Sequence, residues 1–183
     1  MNKFFILVGP GGVGKDTLIK ELKKINSNLF ELVTCTTRTP RAEDVAGETY
    51  NFFSEKDFIK MIKNNDFLEY DNHFGAYYGS RKKDLEGLLK KGNVIADIDI
   101  TGVKNIKKIR KDIVTIFVKT KSKEVLIKRL EKRGMTIQQI KAKLDRYGEE
   151  MKYEKKANYV IINDDLKKAV NEIKEIIKKE TNL

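Results

Sequence analysis

Phe4-Phe5-Ile6-Leu7-Val8-Gly9-Pro10-Gly11-Gly12-Val13-Gly14-Lys15-Asp16-Thr17 is the stretch whose reading decides the fold. Five apolar residues run into a glycine-rich turn, and a helical pattern continues through Ile25, so the segment reads as buried strand, loop and helix. The spacing Gly9-x-x-x-x-Gly14-Lys15 is that of a loop whose backbone N–H groups wrap a polyphosphate. Glycine allows positive φ and a close approach of backbone to ligand. The helix start adds partial positive charge, and Lys15 adds a full one. The loop therefore points to a nucleoside triphosphate. Asp16 is irregular, because this position ordinarily holds a Ser or Thr hydroxyl for Mg²⁺.

Outward from the loop, strand and helix patterns alternate. Strands are expected at 3–8, 31–36, 50–53, 67–71, 76–79, 94–99, 113–118 and 159–162. Helices are expected at 14–25, 55–64, 81–91, 102–110, 122–133, 136–152 and 165–180. Such alternation implies an α/β domain with a parallel sheet covered on both faces. The β-rich segment at 33–80 interrupts the rhythm and reads as an inserted subdomain. The charged helical pair at 122–152 reads as a second insertion, a lid. The core is then about 1–32, 81–121 and 153–183.

The 183 residues suit one such domain, and 40% hydrophobic content is enough for a core. No apolar run has membrane-spanning length. The N-terminal apolar stretch leads straight into the loop, so a cleavable signal there would destroy it, and a cytoplasmic protein is expected. The single Cys35 allows no internal disulfide and fits a reducing compartment. The net charge of +11 comes mostly from lysine, with only seven arginines among 38 basic residues. The lysines spread along every expected helix without interleaved aromatics, which favours a solvated surface over a nucleic-acid face. Part of that field can steer anionic nucleotides toward a cleft. Scarce arginines are more informative, and five of them fall in two groups, Arg38/Arg41 and Arg129/Arg133/Arg146.

The second substrate must be read from the insertion. Thr34-Cys35-Thr36-Thr37-Arg38-Thr39-Pro40-Arg41 is followed by Gly47-Glu48-Thr49-Tyr50. Two arginines three apart can converge on one anion, with the planar fork that suits phosphate. A surface turn with two solvated charges is the alternative.

In these segments the chain resembles guanylate kinases, the nucleoside-monophosphate kinases that act on GMP. The resemblance is collinear over nearly the whole chain. It continues through Phe67-Leu68-Glu69-Tyr70, Tyr77-Tyr78-Gly79-Ser80, Asp97-Ile98-Asp99-Ile100-Thr101-Gly102-Val103, Arg129-Leu130-x-x-Arg133-Gly134 and Val160-Ile161-Ile162-Asn163-Asp164-Asp165-Leu166. It implies a P-loop NTPase fold with a parallel core sheet, a mixed α/β GMP-binding insertion and a helical lid. It also implies ATP as donor, GMP and dGMP as acceptors, Mg²⁺, no nucleic acid or membrane partner, and a monomer or homodimer.

By the same resemblance, Gly9 to Thr17 hold ATP: Gly9, Pro10, Gly11, Gly12, Val13, Gly14, Lys15, Asp16 and Thr17. Asn163 lies by the adenine. Arg38, Arg41, Tyr50 and Tyr78 hold the GMP phosphate. Glu69 reads the guanine edge, accepting from N1–H and the N2 amino group, a donor pair that adenine lacks. Thr34, Gly79, Ser80 and Asp99 are further GMP contacts. Asp97 sits by metal and phosphates at a strand's carboxyl end, where open α/β sheets bind ligands. Lys15, Arg41, Arg129 and Arg133 supply charge for a direct in-line transfer. Metal ligands would be Asp16, Thr17 and Asp97.

Two departures stand out. Asp16 replaces the family's Ser or Gly and is expected to meet Mg²⁺, directly or through water. In the lid, Lys143 stands where the family has arginine, and Arg146, one turn away, is expected to compensate. Asp16 also points to a related kinase of ribose 1,5-bisphosphate, which has no guanine to read. A non-catalytic binding module of the same fold is a third reading, and the intact loop argues against it.

Overall fold

The computed structural model describes every residue except Met1, Glu43, Phe74 and Leu183. In chain order the first elements are β1 (Phe4–Val8), α1 (Lys15–Ile25), β2 (Leu29–Glu31), β3 (Cys35–Thr36), β4 (Asn51–Phe52) and α2 (Glu55–Lys63). Next come β5 (Phe67–His73), β6 (Ala76–Arg81), α3 (Lys82–Leu89), β7 (Asn93–Asp97), α4 (Ile100–Ile109) and β8 (Ile113–Lys119). The chain ends with α5 (Lys123–Lys132), α6 (Ile137–Met151), a 3-10 turn at Glu154–Lys156, β9 (Tyr159–Ile162) and α7 (Leu166–Thr181).

Five strands form a parallel sheet in the order β2-β7-β1-β8-β9, which puts β1 at its centre. Both faces of β1 are covered, which explains why its sequence is an unbroken apolar run. Phe5 and Leu7 point into a cluster with Leu18, Ile19 and Leu22 of α1, Leu126 and Leu130 of α5, and Ile173 of α7. Phe4, Ile6 and Val8 point the other way, into Leu85 of α3 and Val103 and Ile106 of α4. All five β1 side chains are buried. Burying each contributes about 1.5–3 kcal/mol. This fixes where the chain leaves the sheet at Gly9. Leu7 is in register with Asp97, so the end of β7 lies beside the loop.

The second sheet has the order β4-β3-β6-β5 and is mixed. β3 pairs parallel with β4 and antiparallel with β6, and β5 pairs antiparallel with β6. Its apolar face carries a small cluster of buried Cys35, Phe58 and Phe67, flanked by Phe53, Met61, Ile62 and Tyr77. Phe58, from α2, stacks on Phe67 at 4.4 Å between centroids and on Tyr77 at 5.4 Å. Ser54 caps α2 by accepting from the Asp57 N–H.

The strand expected at 31–36 is in fact two. Leu32 is still tied to the parallel sheet, its N–H donating to the Ile95 carbonyl and its side chain buried. The chain then crosses, and Cys35 pairs with Gly79 and Asn51 in the second sheet. The run from Glu31 to Thr36 contains no Gly, Pro, Asn or Asp, so nothing in it marks the crossing. β5 and β6 each extend two residues beyond expectation, because their antiparallel ladder runs on to His73 and Ala76 and back to Phe67 and Arg81.

Candidate active site

The loop from Gly9 to Gly14 owes its shape to contacts that exclude side chains. Gly9 has φ of 146°, and a Cβ there would lie 2.1 Å from the Val118 carbonyl oxygen. Gly14 has φ of 98° and opens α1 without a side-chain cap, which leaves the helix's first N–H groups for an anion. Val13 is buried under the loop, and its carbonyl accepts from Asn163 Nδ2 at 2.8 Å and Arg129 Nη1 at 3.3 Å. Arg129 Nη2 also donates to the Asn163 carbonyl at 2.6 Å. Asn163 and Arg129 thus brace the loop from outside, and the Asn163 amide is spent on the backbone.

Lys15 Nζ donates to the carbonyls of Gly9 at 2.8 Å and Pro10 at 3.4 Å. It also lies 3.5 Å from Asp97 Oδ1. Burial raises the Asp97 pKa from 3.8 to about 6, Lys15 opposes the rise and Asp16 adds to it. Asp16 and Thr17 are exposed at the first turn of α1. Arg133 is exposed too and lines a hollow of about 440 Å³ with Gly12, Gly14, Thr17, Arg129 and Asn163.

The acceptor wall is built on the second sheet's other face. A hollow of about 170 Å³ is lined by Thr34, Tyr50, Glu69, Asp71, Tyr78, Gly79, Asp97 and Asp99, among others. A neighbouring hollow of about 110 Å³ joins Thr34 and Tyr50 to Asp16 and Asp97, so the two walls face one another. Gly79 is confined: a Cβ there would lie 2.8 Å from the Glu69 carbonyl oxygen. Ser80, buried opposite Glu69, hydrogen-bonds its carboxylate. Burial raises the Glu69 pKa from 4.5 to about 7, and the charges of Asp99 and Asp71 add to the rise. The Glu69 carboxylate also packs against the start of α4, with Oε2 3.1 Å from where a Gly102 Cβ would be. Asp99 caps that helix, accepting from the Gly102 N–H at 2.7 Å.

Arg38 lies over Tyr50, 5.2 Å from the ring centroid, and Tyr50 meets Tyr78 edge-on at 5.9 Å. The guanidinium is paired with Asp44 at 2.8 Å. Asp44 also accepts from the Arg41 backbone N–H at 2.6 Å, and that bond, with Arg38, holds its carboxyl below the ordinary range. The Arg41 side chain is exposed and makes no hydrogen bond among the described residues. Asp44 is not among the site residues expected from the sequence, although an acid three residues after Arg41 in a turn is a signal for such a pair.

Over the loop, Lys143 Nζ lies 2.9 Å from where a Gly11 Cβ would be. Ile140 is buried in the core cluster, with Leu144 and Tyr147 packed against it. Arg146 is exposed, with no hydrogen bond or ion pair among the described residues. The lid side chain set over the loop is thus Lys143, with the expected Arg146 one turn further on. A hollow of about 840 Å³ runs along α7 and holds none of these residues.

A phosphate loop at the carboxyl ends of a parallel sheet, facing a basic and acidic pocket on an inserted sheet, defines a P-loop nucleotide phosphotransferase. The guanylate kinase family pattern matches residues 1–180. A guanylate kinase of Rickettsia prowazekii is 40% identical over 174 residues, covering 94% of this chain and 88% of the relative. One from Carboxydothermus hydrogenoformans is 38% identical, covering 98% and 90%. The crystal structure of guanylate kinase from Anaplasma phagocytophilum superposes with a TM-score of 0.77 at 25% identity, covering 98% of this chain and 86% of that one. The chain belongs to the guanylate kinase family.

Proposed function

We propose that this chain transfers the γ-phosphoryl group of ATP to GMP, giving ADP and GDP. The observation that carries the reading is the facing pair of walls: Lys15 and Asp97 at the loop, and Arg38, Tyr50, Tyr78 and Glu69 on the second sheet. A GMP phosphate oxygen attacks the γ-phosphorus in line, and the bond to the β-phosphate bridging oxygen breaks. No protein nucleophile takes part. Lys15 exchanges its loop carbonyls for phosphate oxygens, and Lys143, Arg129 and Arg133 add positive charge around them. Arg38 exchanges Asp44 for the acceptor phosphate, and Arg41 swings in from solvent. Residues 33–80 serve as the acceptor insertion and 122–152 as the lid, whose closing keeps water from the γ-phosphate.

The donor set suits Mg²⁺. Asp16 and Asp97 are hard oxygen ligands close enough for Asp16 to raise the proton affinity of Asp97, a repulsion that a divalent cation relieves, and Thr17 adds a hydroxyl. Among the described residues no three metal-type side chains gather, so phosphate and water would complete the shell. When bound, Mg²⁺ would neutralise charge on the β and γ oxygens. No described helix is long and apolar enough to cross a membrane, and Cys35 is free and buried, which fits a cytoplasmic enzyme.

The test is to follow γ-labelled ATP with GMP and Mg²⁺. Label should appear in GDP. Label released only as inorganic phosphate would refute the transfer.

A further inference from the structure

Side chains two apart on a strand share a face, and β5 uses this twice. Glu69 stands opposite Ser80, and Asp71 stands opposite Tyr78. Both acids line the 170 Å³ hollow. Tyr70, between them, pairs with Gly79 and is exposed, while Tyr77 lies under the sheet against Phe58. The hollow is thus ordered along β5 and β6. One end has Glu69 and Ser80, and the other has Tyr78, Tyr50 and Arg38.

Under the function proposed above, on which this inference rests, the first end takes the base and the second the phosphate. The sugar must lie between them. Two strand residues advance about 7 Å, close to the span from the amino edge of guanine to the 2′-oxygen. Of the opposed pair Asp71 and Tyr78, the tyrosine reaches several ångströms farther from the strand, so its hydroxyl meets the phosphate while the short Asp71 carboxylate stops at the sugar. It is half-buried, and its Oδ1 accepts from the Asn72 N–H at 2.7 Å, which fixes the carboxylate at the wall. An ionised carboxylate only accepts hydrogen bonds. A ribose 2′-hydroxyl donates one, and a deoxyribose has nothing to donate there.

We propose that Asp71 is a specificity-determining residue that accepts a hydrogen bond from the 2′-hydroxyl and makes GMP a better acceptor than dGMP. Sequence alone does not rank the two, because the register that sets Asp71 beside Tyr78 is a property of the hairpin. Alternation from Glu69 would have placed Asp71 on the right face.

The experiment compares kcat/KM for GMP, dGMP and 2′-deoxy-2′-fluoro-GMP by ADP release, on the unaltered protein and on Asp71→Ala and Asp71→Asn. Fluorine keeps the size of the group but cannot donate. The unaltered protein should favour GMP over both analogues by about tenfold or more, the effect of one hydrogen bond to a charged group. Asp71→Ala should bring the ratio to within about twofold of unity, and Asp71→Asn should fall between. Equal use of the three acceptors by the unaltered protein would refute the role of Asp71 and leave the GMP kinase reading intact. A ratio unchanged in Asp71→Ala would also refute it. Absence of turnover with any of the three would overturn both. The substrate series needs no variant, so a variant that fails to fold does not block the decision.

Discussion

The five-stranded and four-stranded sheets differ in how much core stands behind them. β1 is buried along its whole length, between two clusters that draw on α1, α3, α4, α5 and α7. Among the described residues, the second sheet's own cluster has three buried side chains under one short helix, and Leu68 of β5 ties the sheet to α4. The loop on the first sheet presents mainly backbone and one lysine, while the wall on the second presents side chains from five separated segments. A loop that must hold the same phosphates in every cycle gains from a rigid base. A wall that must admit and release an acceptor gains from a low-stability one, where moving elements are commonly found.

The largest effect expected follows from that contrast. Phe58→Ala removes the centre of the small cluster and should cost the second sheet about 3–5 kcal/mol. Hydrogen exchange should speed up over 35–81 and hold at 4–8, with a raised KM for GMP. A uniform loss of protection would erase the distinction between the sheets.

Lys15→Ala should act in the opposite manner. Among the described residues the amine touches only the loop carbonyls and Asp97. Losing its charge from the transition state should lower kcat by about 10²–10³-fold, with little change in KM for GMP or in melting temperature. A large KM effect would mean that Lys15 also serves the acceptor.

Glu69→Gln comes next, with kcat/KM for GMP down about tenfold to a hundredfold, the effect of a lost charged hydrogen bond of about 1.5–3 kcal/mol. pH gives the same residue a second test. Its folded pKa of about 7 lies above the ordinary 4.5, so its contribution to stability is full below pH 4.5 and is lost as pH rises through about 7. Reading guanine needs the opposite, ionised state. KM for GMP should therefore rise as pH falls below about 7, and Glu69→Gln should flatten the profile. A flat profile in the unaltered protein would contradict an ionised Glu69 as the reader.

The smallest effect is in the lid. Lys143→Ala should lower kcat about tenfold, one charged hydrogen bond, and Arg146→Ala should leave it unchanged. The reverse order would restore Arg146 as the lid cation.

What was legible in the sequence was local. Gly9 to Lys15 carry their chemistry within one turn, so spacing alone located the loop, and the alternation of strands and helices around it implied the parallel sheet. The acceptor wall gathers Thr34, Tyr50, Glu69, Tyr78 and Asp99 from distant segments, and only the collinear resemblance named them. The crossing at Leu32 to Thr34 is hidden because no turn-forming residue marks it. In the lid, rotation around the helix and not residue spacing decides which side chain meets the loop. At 100° per residue, Lys143 lies roughly 60° from Ile140 and Arg146 roughly 120°, so the stripe of Ile140, Leu144 and Tyr147 turns Lys143 toward the loop and Arg146 toward water. The same stripe was readable in the sequence.

The most direct measurement is acceptor-dependent ADP release from ATP and Mg²⁺, with GMP, AMP and ribose 1,5-bisphosphate supplied in turn. Turnover with GMP exceeding that with AMP by at least about a hundredfold, and none with the sugar bisphosphate, is the result expected from a Glu69 wall facing the loop. Turnover with ribose 1,5-bisphosphate but not GMP would contradict it.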